Sequence, residues 1–477
     1  MSCRLFPCFV IRNLIVVTLL LFIIDCDQTG RKSDLPNIIL IMADDMGWGD
    51  AGYQGNDTII TPSIDQLVAE GIRFDRFYAA APVCSPTRGS CLTGRHPYRY
   101  GIYGANVGKM REEEITLAEA LKSVGYTTGH FGKWHLGTLT NDEVDANRGG
   151  RDPNVYSPPW MHGFDVCFST ESKVPTYDPM ITPGSDAEDI GHREPGTPFG
   201  TYYWTGPGEK VTDNLEGDDS RIIMDRVVPF IQSSAEYSLP FLTVIWFHTP
   251  HLPVIAGQEY KDLYSPYDDG IRHFYGCITA MDEQIGRLVS ELKNLGEWDN
   301  TILFFTSDNG PEGKTRSGRK QGSIKGLKGR KRSLHEGGIR VPGIMVWPAR
   351  IKVPKVIHSP ISTSDYYPTI LDILDIKMPD QPQLDGISFL PNILGLRSAR
   401  PYPIGFQFKS QLAMIDNHYK IYSSDNGQSF QLFDIIDDPA ESVDVSLEFP
   451  EIKDTLMNEL NKWIISCKQS DQGNDYK

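Results

Sequence analysis

A cysteine, a proline and an arginine stand close together at Cys84, Pro86 and Arg88. Ser85 and Pro86 suit the N-cap and the first position of a helix, so one interpretation is a loop cysteine before a helix start. The chemical interpretation begins with geometry, because a side chain at a helix N-terminus faces unpaired backbone N–H groups and the positive end of the helix dipole. Arg88 would lie one turn further along the same face. The segment alone leaves open whether it is a plain helix start or a site for chemistry on an anion.

Oxygen-bearing side chains follow two predicted strands, at residues 37–43 and 301–306, which are apolar and rich in β-branched and aromatic residues. Ligands of open α/β sheets bind at the carboxyl ends of the strands, so acidic residues there favour a metal or catalytic role over an ordinary turn. Carboxylate and amide oxygens suit a hard cation, Ca²⁺ or Mg²⁺, better than zinc. The residues that form this predicted metal site are Asp44, Asp45, Asp308 and Asn309.

Cationic and imidazole side chains follow other predicted strands. A strand at residues 126–131 leads to Lys133 and His135, which would point the same way on an extended segment. A later strand leads to His251, whose orientation is fixed by neighbouring prolines. Residues 314–332 contain many Lys and Arg residues and no acidic residue, which indicates either a solvated loop or an anion-binding segment. Together with the oxygen donors, these residues indicate a site for a sulfate or phosphate group.

The composition is that of an acidic globular protein. The 477 residues are 40% hydrophobic and carry a net charge of −16, which argues against general nucleic-acid binding. The length suits one large α/β domain and a smaller one. The cysteines beyond the N-terminal region are far apart and lack C-x-x-C spacing, so we expect neither a disulfide framework nor a zinc cluster.

The N-terminus has the pattern of an export signal. Arg4 and Arg12 precede an apolar run at residues 14–24 that is short for a membrane span. We therefore expect residues 1–26 to direct export to the periplasm or the extracellular space, with no transmembrane span in the mature chain. Cys26 raises the alternative of a lipid anchor, which the preceding acidic residue disfavours.

Two regions of different architecture follow. Strands alternate with helices between residues 35 and 377, which predicts a large mixed, mostly parallel sheet flanked by helices. From residue 384 to 467, short strands and a final helix predict a smaller α+β subdomain with an antiparallel sheet. Residues 138–217 lack periodicity but contain many aromatic residues, which indicates a functional loop region suited to carbohydrate.

Six motifs, in order along the chain, resemble those of the type I sulfatases, which carry a formylglycine and belong to the alkaline-phosphatase-like superfamily. The resemblance covers nearly the whole mature chain and implies a sulfuric ester hydrolase with the fold of that superfamily. The motifs occupy residues 37–50, 84–95, 132–137, 250–253, 307–310 and 336–342.

The resemblance implies that a formylglycine-generating enzyme oxidises Cys84, with Pro86 and Arg88 as the recognised neighbours. It implies one Ca²⁺ at the predicted metal site, with the modified residue 84 as a further ligand. One hydroxyl of the hydrated aldehyde would attack sulfur in line and expel the alcohol. Loss of a proton from the second hydroxyl would then release sulfate and restore the aldehyde.

The same resemblance implies roles for the surrounding cations. His135 would be the base for sulfate release, and Arg88 and Lys133 would hold the hydrated aldehyde. His251 and Lys331, with Lys133, would bind the sulfate, and the first two would protonate the leaving oxygen. Acid assistance of this kind is typically worth about 10²–10⁴-fold in rate.

Three positions depart from the family's pattern or leave a choice. Lys331 is assigned because it lies five residues before the glutamate of the last motif, but Lys325 and Lys328 are close by. Thr87 stands where serine is more usual and keeps a hydroxyl. Arg332 stands where glycine is common and adds charge where substrate should bind.

The substrate expected from the sequence is a sulfated glycan. The basic segment, with Arg316 and Arg319 as candidate substrate-binding residues, and the aromatic-rich insert favour a polyanionic glycan over a small aryl sulfate. One alternative is a phosphatase or phosphodiesterase of the same superfamily, which would use a Ser or Thr nucleophile and two zinc ions. Cys84 and Asn309 disfavour it. The other alternative is an unmodified, inactive sulfate-binding homologue.

Overall fold

The computed structural model describes residues 35–184, 187, 189–313 and 321–476. The predicted export signal at 1–26, with Cys26, and the candidate substrate residues Arg316 and Arg319 lie outside the described residues. Among the helices that are described, none has the length and apolar character needed to cross a membrane.

In the described part of the chain the strands form three sheets of ten, three and four strands. The strands are β1 (Asn37–Ala43), β2 (Ile72–Phe74), β3 (Phe77–Tyr78), β4 (Thr127–Lys133), β5 (Val166–Thr170), β6 (Trp204–Gly206), β7 (Glu209–Lys210), β8 (Phe241–Trp246), β9 (Thr301–Ser307), β10 (Arg340–Val341), β11 (Gly343–Val346), β12 (Lys355–Ile357), β13 (Ile361–Ser362), β14 (Ile404–Phe408), β15 (Gln411–Ile415), β16 (Tyr419–Ser423) and β17 (Gln431–Asp434).

Helices cover both faces of the large sheet, and a helix is the last secondary-structure element described. They are α1 (Pro62–Glu70), α2 (Cys84–Thr93), α3 (Leu117–Lys122), α4 (Asp219–Glu236), α5 (Gln258–Asp262), α6 (Asp269–Asn294), α7 (Glu336–Ile339), α8 (Tyr366–Ile373), α9 (Leu390–Ile393) and α10 (Pro450–Asp471).

The large sheet has the strand order β12-β2-β11-β9-β1-β8-β4-β5-β6-β7. Its centre, from β9 to β5, pairs in parallel, and antiparallel pairs occur only towards its edges within the described residues. Alternate residues of β1 pack into two different apolar clusters, so both faces of the strand are buried. This double burial explains why β1 reads as one continuous apolar run. The predicted α/β class and mixed sheet are confirmed.

The register of the central strands brings the predicted site residues to one edge. Ala43, the last residue of β1, pairs with Ser307, the last residue of β9. The residues that follow each strand therefore emerge side by side. Lys133 ends β4, two strands away, because β8 lies between β1 and β4.

Helix α2 begins earlier than the sequence interpretation placed it. Val83 is the N-cap and Cys84 is the first helical residue, so Ser85 and Pro86 lie inside the first turn. Proline is tolerated there because its missing N–H has no intrahelical acceptor in that turn. Thr87 Oγ1 donates a hydrogen bond to Ala81 O at 3.0 Å and so ties the helix to the preceding turn. The hydroxyl that this position retains is therefore used structurally.

The aromatic insert contains regular structure that its sequence pattern does not reveal. It contributes β5 to the large sheet, a strand that periodicity did not reveal. Tyr203 stacks on Phe168 with ring centroids 3.9 Å apart, and Trp204 donates from Nε1 to Asp145 Oδ2 at 2.9 Å. Both Tyr203 and Trp204 are completely buried. These two rings pack in the interior and are therefore not accessible to a carbohydrate.

The four-stranded antiparallel sheet, β14 to β17, and helix α10 follow the predicted pattern. The helix ends at Asp471, four residues beyond the predicted end. A buried ion pair network joins this sheet to the rest of the molecule. Lys420 Nζ, in β16, lies 3.0 Å from Glu336 Oε1 and 3.0 Å from Glu441 Oε1, and all three side chains are fully buried.

We expect Lys420→Met to lower the free energy of unfolding by about 3–5 kcal/mol, because it removes the cation that lies 3.0 Å from each of two buried carboxylates. Lys462→Met is the matched control, since Lys462 pairs with Glu459 on the exposed face of α10. Its effect should stay within about 0.5 kcal/mol. Urea titration of the purified proteins measures both values. Equal effects of the two substitutions would contradict a structural role for the buried network.

Candidate active site

The four predicted oxygen donors meet at the carboxyl edge of the large sheet, and all four are buried. The backbone N–H of Asp45 donates to Asp308 Oδ1 at 3.1 Å, and Asn309 Nδ2 donates to Asp45 Oδ1 at 2.6 Å. Asp44 Oδ1 and Asn309 Oδ1 have no hydrogen-bond partner among the described residues. Buried oxygens left in this state fit a hard cation as their missing partner.

Helix α2 delivers Cys84 and Arg88 to this cluster. A sulfur of Cys84 and carboxylate oxygens of Asp44 and Asp308 lie within 4.8 Å of one another, a spacing that can hold a metal ion. Arg88 Nη2 lies 2.7 Å from Asp308 Oδ2 and 3.3 Å from Asp44 Oδ2. Its Nη1 donates to the backbone oxygen of Lys133 at 3.0 Å, which ties α2 to the end of β4.

Two lysines complete the ring of cations. Lys133 Nζ lies 2.6 Å from Asp44 Oδ2. Lys331 Nζ lies 2.7 Å from Asp45 Oδ1. The alternative lysines point elsewhere, because Lys325 Nζ donates to Gly55 O and Lys328 Nζ donates to Glu441 O. Of the three lysines in the basic segment considered from sequence, Lys331 is therefore the one that contacts the cluster.

The carboxylates of the cluster compete for the surrounding positive charge. Burial alone would raise the pKa of Asp44, but Lys133 and the other nearby cations outweigh it and hold that pKa well below its ordinary value. Burial and repulsion from Asp44 raise the pKa of Asp308 to about 7. Burial also raises the pKa of Asp45, against the opposing effect of Lys331. A divalent cation would allow all three carboxylates to remain charged, which again fits a hard metal ion.

Cys84 is not in a setting that activates a thiol. Its side chain is buried, and this burial raises the pKa of the thiol although Lys133 and Lys331 oppose the shift. Reactive cysteines normally have a lowered pKa, because the thiolate is the nucleophile. Cys84 therefore lies near Lys133 and Lys331 but lacks the lowered pKa that thiol chemistry needs.

His135 reaches the site by a different backbone path than expected. Its φ is 59°, in the left-handed region, so the segment after Lys133 is not extended and the predicted alternation of the two side chains does not apply. The imidazole is buried, with Nε2 2.9 Å from Asn106 Oδ1. Burial, then the charges of Lys133 and Arg88, lower the pKa of His135 well below its ordinary value.

His251 presents one ring nitrogen to the cluster. Its Nδ1 donates to Leu252 O at 2.6 Å, and its Nε2 lies 3.7 Å from Asp45 Oδ2. Burial and the nearby Lys331 charge lower the pKa of His251 well below its ordinary value. Because Nδ1 is engaged by the backbone, Nε2 is the atom that can accept a proton or meet an anion.

Sequence interpretation missed Asn106 and Glu312. Glu312 Oε2 lies 3.7 Å from Lys331 Nζ and 3.1 Å from Arg332 Nη2. Glu312 thus pairs with Arg332 and offsets the extra positive charge expected there, although the Arg332 side chain remains half exposed. The position of Glu312, three residues after Asn309, was an available signal. Asn106 lies in a turn far from any motif, and its sequence context gave no signal.

Several known proteins and family models are similar to this chain. A model of the sulfatase family matches residues 36–376, and a model described as N-sulphoglucosamine sulphohydrolase, C-terminal, matches residues 329–466. N-acetylgalactosamine-6-sulfatase of Rattus norvegicus is 34% identical in an alignment 380 residues long that covers 75% of this chain and 66% of that protein. Steryl-sulfatase of Rattus norvegicus is 31% identical in an alignment 422 residues long that covers 77% of this chain and 71% of that protein.

A solved structure shows the same fold over most of its length. Ps i-CgsB in complex with k-i-k-neocarrahexaose has a TM-score of 0.76 and 28% sequence identity, and the match covers 90% of this chain and 92% of that one. The sulfatase model alone spans more than half of the present sequence. On these grounds the chain belongs to the sulfatase family.

Proposed function

We propose that this chain hydrolyses sulfate esters of a sulfated glycan, through a formylglycine made from Cys84 and with one bound Ca²⁺. One observation carries the proposal. Three fixed cations, Arg88, Lys133 and Lys331, pair with buried carboxylates beside Cys84, which shares a potential metal site with Asp44 and Asp308. This arrangement suits a tetrahedral oxyanion group held next to residue 84.

The metal would be held by Asp44, Asp45, Asp308 and Asn309, with residue 84 as a further ligand. The unpartnered oxygens of Asp44 and Asn309 support this set, because both are buried and both are hard donors. When bound, Ca²⁺ supplies positive charge that balances the carboxylates and stabilises negative charge on the reacting oxygens.

Residue 84 would act after modification by a formylglycine-generating enzyme, with Pro86 and Arg88 as the recognised neighbours. Formylglycine supplies a hydrated aldehyde as the nucleophile in place of a thiol. The raised pKa of the Cys84 thiol supports a role other than that of a thiolate. Arg88 and Lys133 would then hold the modified side chain through their fixed N–H groups.

The remaining residues would bind the sulfate and move protons. Lys331 Nζ and His251 Nε2 both lie next to Asp45 and would meet the sulfuryl oxygens and the leaving oxygen. Cations placed in advance around a developing charge cost no reorganisation during the reaction, which is why buried, hydrogen-bonded positions favour catalysis. His135 would be the base for release of sulfate.

The glycan assignment is supported by the relatives and by charge. One relative is named for N-acetylgalactosamine 6-sulfate groups, and one structural neighbour was solved with neocarrahexaose. Residues 314–332 add a basic segment to an otherwise acidic chain. A small sulfate ester remains the second candidate, since steryl-sulfatase is also a relative. Export to the periplasm or extracellular space, directed by residues 1–26, would bring the enzyme to such glycans.

The modification predicts a definite mass. In protein made in a host that contains the modifying enzyme, the peptide spanning Cys84 should be about 18 Da lighter than the unmodified peptide. Peptide mass spectrometry measures the ratio of the two forms. The change of mass in a Cys84→Ala variant identifies the peptide that contains residue 84. A peptide present only as the thiol, in a preparation that is still active, would contradict the proposed nucleophile. The same peptide in an inactive preparation would favour the sulfate-binding alternative.

The metal and the leaving group separate a sulfatase from a phosphatase. We expect kcat/KM for an aryl sulfate to exceed that for the matching aryl phosphate by at least about 10²-fold. Dialysis against a chelator should abolish sulfate hydrolysis, and Ca²⁺ rather than Zn²⁺ should restore it. Asp308→Asn should lower kcat/KM by at least about 10²-fold. Asp213→Asn, at an exposed carboxylate, is its control and should leave activity unchanged. Faster phosphate hydrolysis restored by Zn²⁺ would reverse the assignment.

The basic segment predicts substrate preference. Neutralising Arg316, Arg319 and Lys320 together should raise KM for a sulfated oligosaccharide more than KM for an aryl sulfate, because only the glycan extends along the segment. Steady-state kinetics on both substrates measures this ratio. A triple neutralisation of the exposed lysines Lys352, Lys462 and Lys468 changes the net charge equally and serves as the control. Equal shifts of both KM values would argue against a glycan-binding role.

A further inference from the structure

The two ring nitrogens of His135 have different surroundings. Nε2 lies 2.9 Å from Asn106 Oδ1. Nδ1 is buried and has no hydrogen-bond partner among the described residues. The imidazole ring is nearly inaccessible to solvent, so water cannot give its two nitrogens the same surroundings. Which nitrogen carries the proton therefore decides what the ring can do.

Asn106 settles the question through the chemistry of an amide. Its Oδ1 also accepts from Asn147 Nδ2 at 3.1 Å, and Asn147 Nδ2 lies 3.2 Å from Ser172 Oγ. An amide oxygen has lone pairs and no hydrogen, so it can only accept. Two N–H groups thus converge on Asn106 Oδ1, and one of them belongs to Nε2 of His135. A neutral imidazole carries a single N–H, which leaves Nδ1 with a bare lone pair.

The surrounding charges favour the neutral form of the ring. Lys133, Arg88 and Arg148 all act on His135 as nearby cations, and after burial they are the reasons for its lowered pKa. The ring is accordingly neutral. The hydrogen bond to Asn106 therefore places the single proton of the neutral ring on Nε2.

We propose that Asn106 is a positioning residue that fixes His135 as the Nε2–H tautomer, so that Nδ1 is the atom that accepts a proton when sulfate is released. In that transfer the O–H bond of the reacting hydroxyl breaks, an N–H bond forms at Nδ1, and the resulting imidazolium keeps its Nε2–H bond to Asn106. The inference rests on the proposed function, which makes His135 the base. The tautomer itself is a property of the folded chain.

The backbone at Asn106 suits this task and guides the choice of variants. Its φ is 61°, in the left-handed region, where asparagine, aspartate and glycine fit with less strain than other residues. Asn106→Gly removes the acceptor without backbone strain. Asn106→Asp keeps an oxygen that can only accept. Asn426→Gly is the matched control, because Asn426 is exposed, has a φ of 60° and lies in the β16–β17 turn.

The direct test is ¹⁵N NMR of histidine-labelled protein in which residue 84 is still cysteine. His135→Gln assigns the His135 signals among the 11 histidines. We expect the Nε2–H tautomer in the wild type, in Asn106→Asp and in Asn426→Gly. In Asn106→Gly we expect loss of that single tautomer. A wild-type ring protonated on Nδ1, or an unchanged His135 signal in Asn106→Gly, would overturn the proposal.

Kinetics on the modified enzyme provides the second readout. Asn106→Gly should lower kcat for an aryl sulfate by about 10–100-fold, as expected for loss of a group that orients a reacting histidine. Its KM should change by less than about twofold, because Asn106 holds the base and not the sulfate. Asn106→Asp should retain more activity than Asn106→Gly. A fall in kcat shared equally by Asn426→Gly would refute the positioning role. A wild type with the expected tautomer but no sulfate hydrolysis would refute the proposed function and leave the tautomer assignment standing.

Discussion

The structure depends on keeping three carboxylates together in the interior. Asp44, Asp45 and Asp308 lie at the ends of two adjacent parallel strands, where water cannot screen their mutual repulsion. Three cations compensate them, and each comes from a different element. Arg88 comes from α2, Lys133 from the end of β4, and Lys331 from the segment before α7. The need to balance charge thus fixes where a helix, a strand end and a loop must meet.

The position of Lys331 depends on contacts outside the cluster. The segment that carries Lys331 runs into α7, whose first residue, Glu336, is anchored by Lys420 of the four-stranded sheet. Gly310, just after Asn309, packs so closely on this segment that an added Cβ would lie 2.0 Å from Gly337 O. Only glycine fits there. The small C-terminal sheet therefore helps to place Lys331, the cation that contacts Asp45.

Much of this arrangement could be predicted from the sequence, for a physical reason. Doubly buried parallel strands are continuous apolar runs, and the residues after such strands must converge, so β1 and β9 with Asp44 and Asp308 were identified. Side chains placed by left-handed turns were harder to predict. His135 and Asn106 both adopt positive φ, and nothing in residue type or spacing announced their contact. Strand β5 was missed because it is short and lies in an insert whose large aromatic residues pack inward.

The burial of Cys84 has a consequence for the order of events in the life of the chain. Every residue of α2 is buried, so residues 84 to 88 are not accessible to another protein once the domain has folded. If the cysteine is converted as proposed, the conversion must be finished while this stretch is still an open peptide. Oxidation of Cys84 then competes with folding, and a molecule that folds first keeps an unmodified cysteine. The relative rates of oxidation and folding, and not the stability of the folded protein, would determine the fraction of modified enzyme.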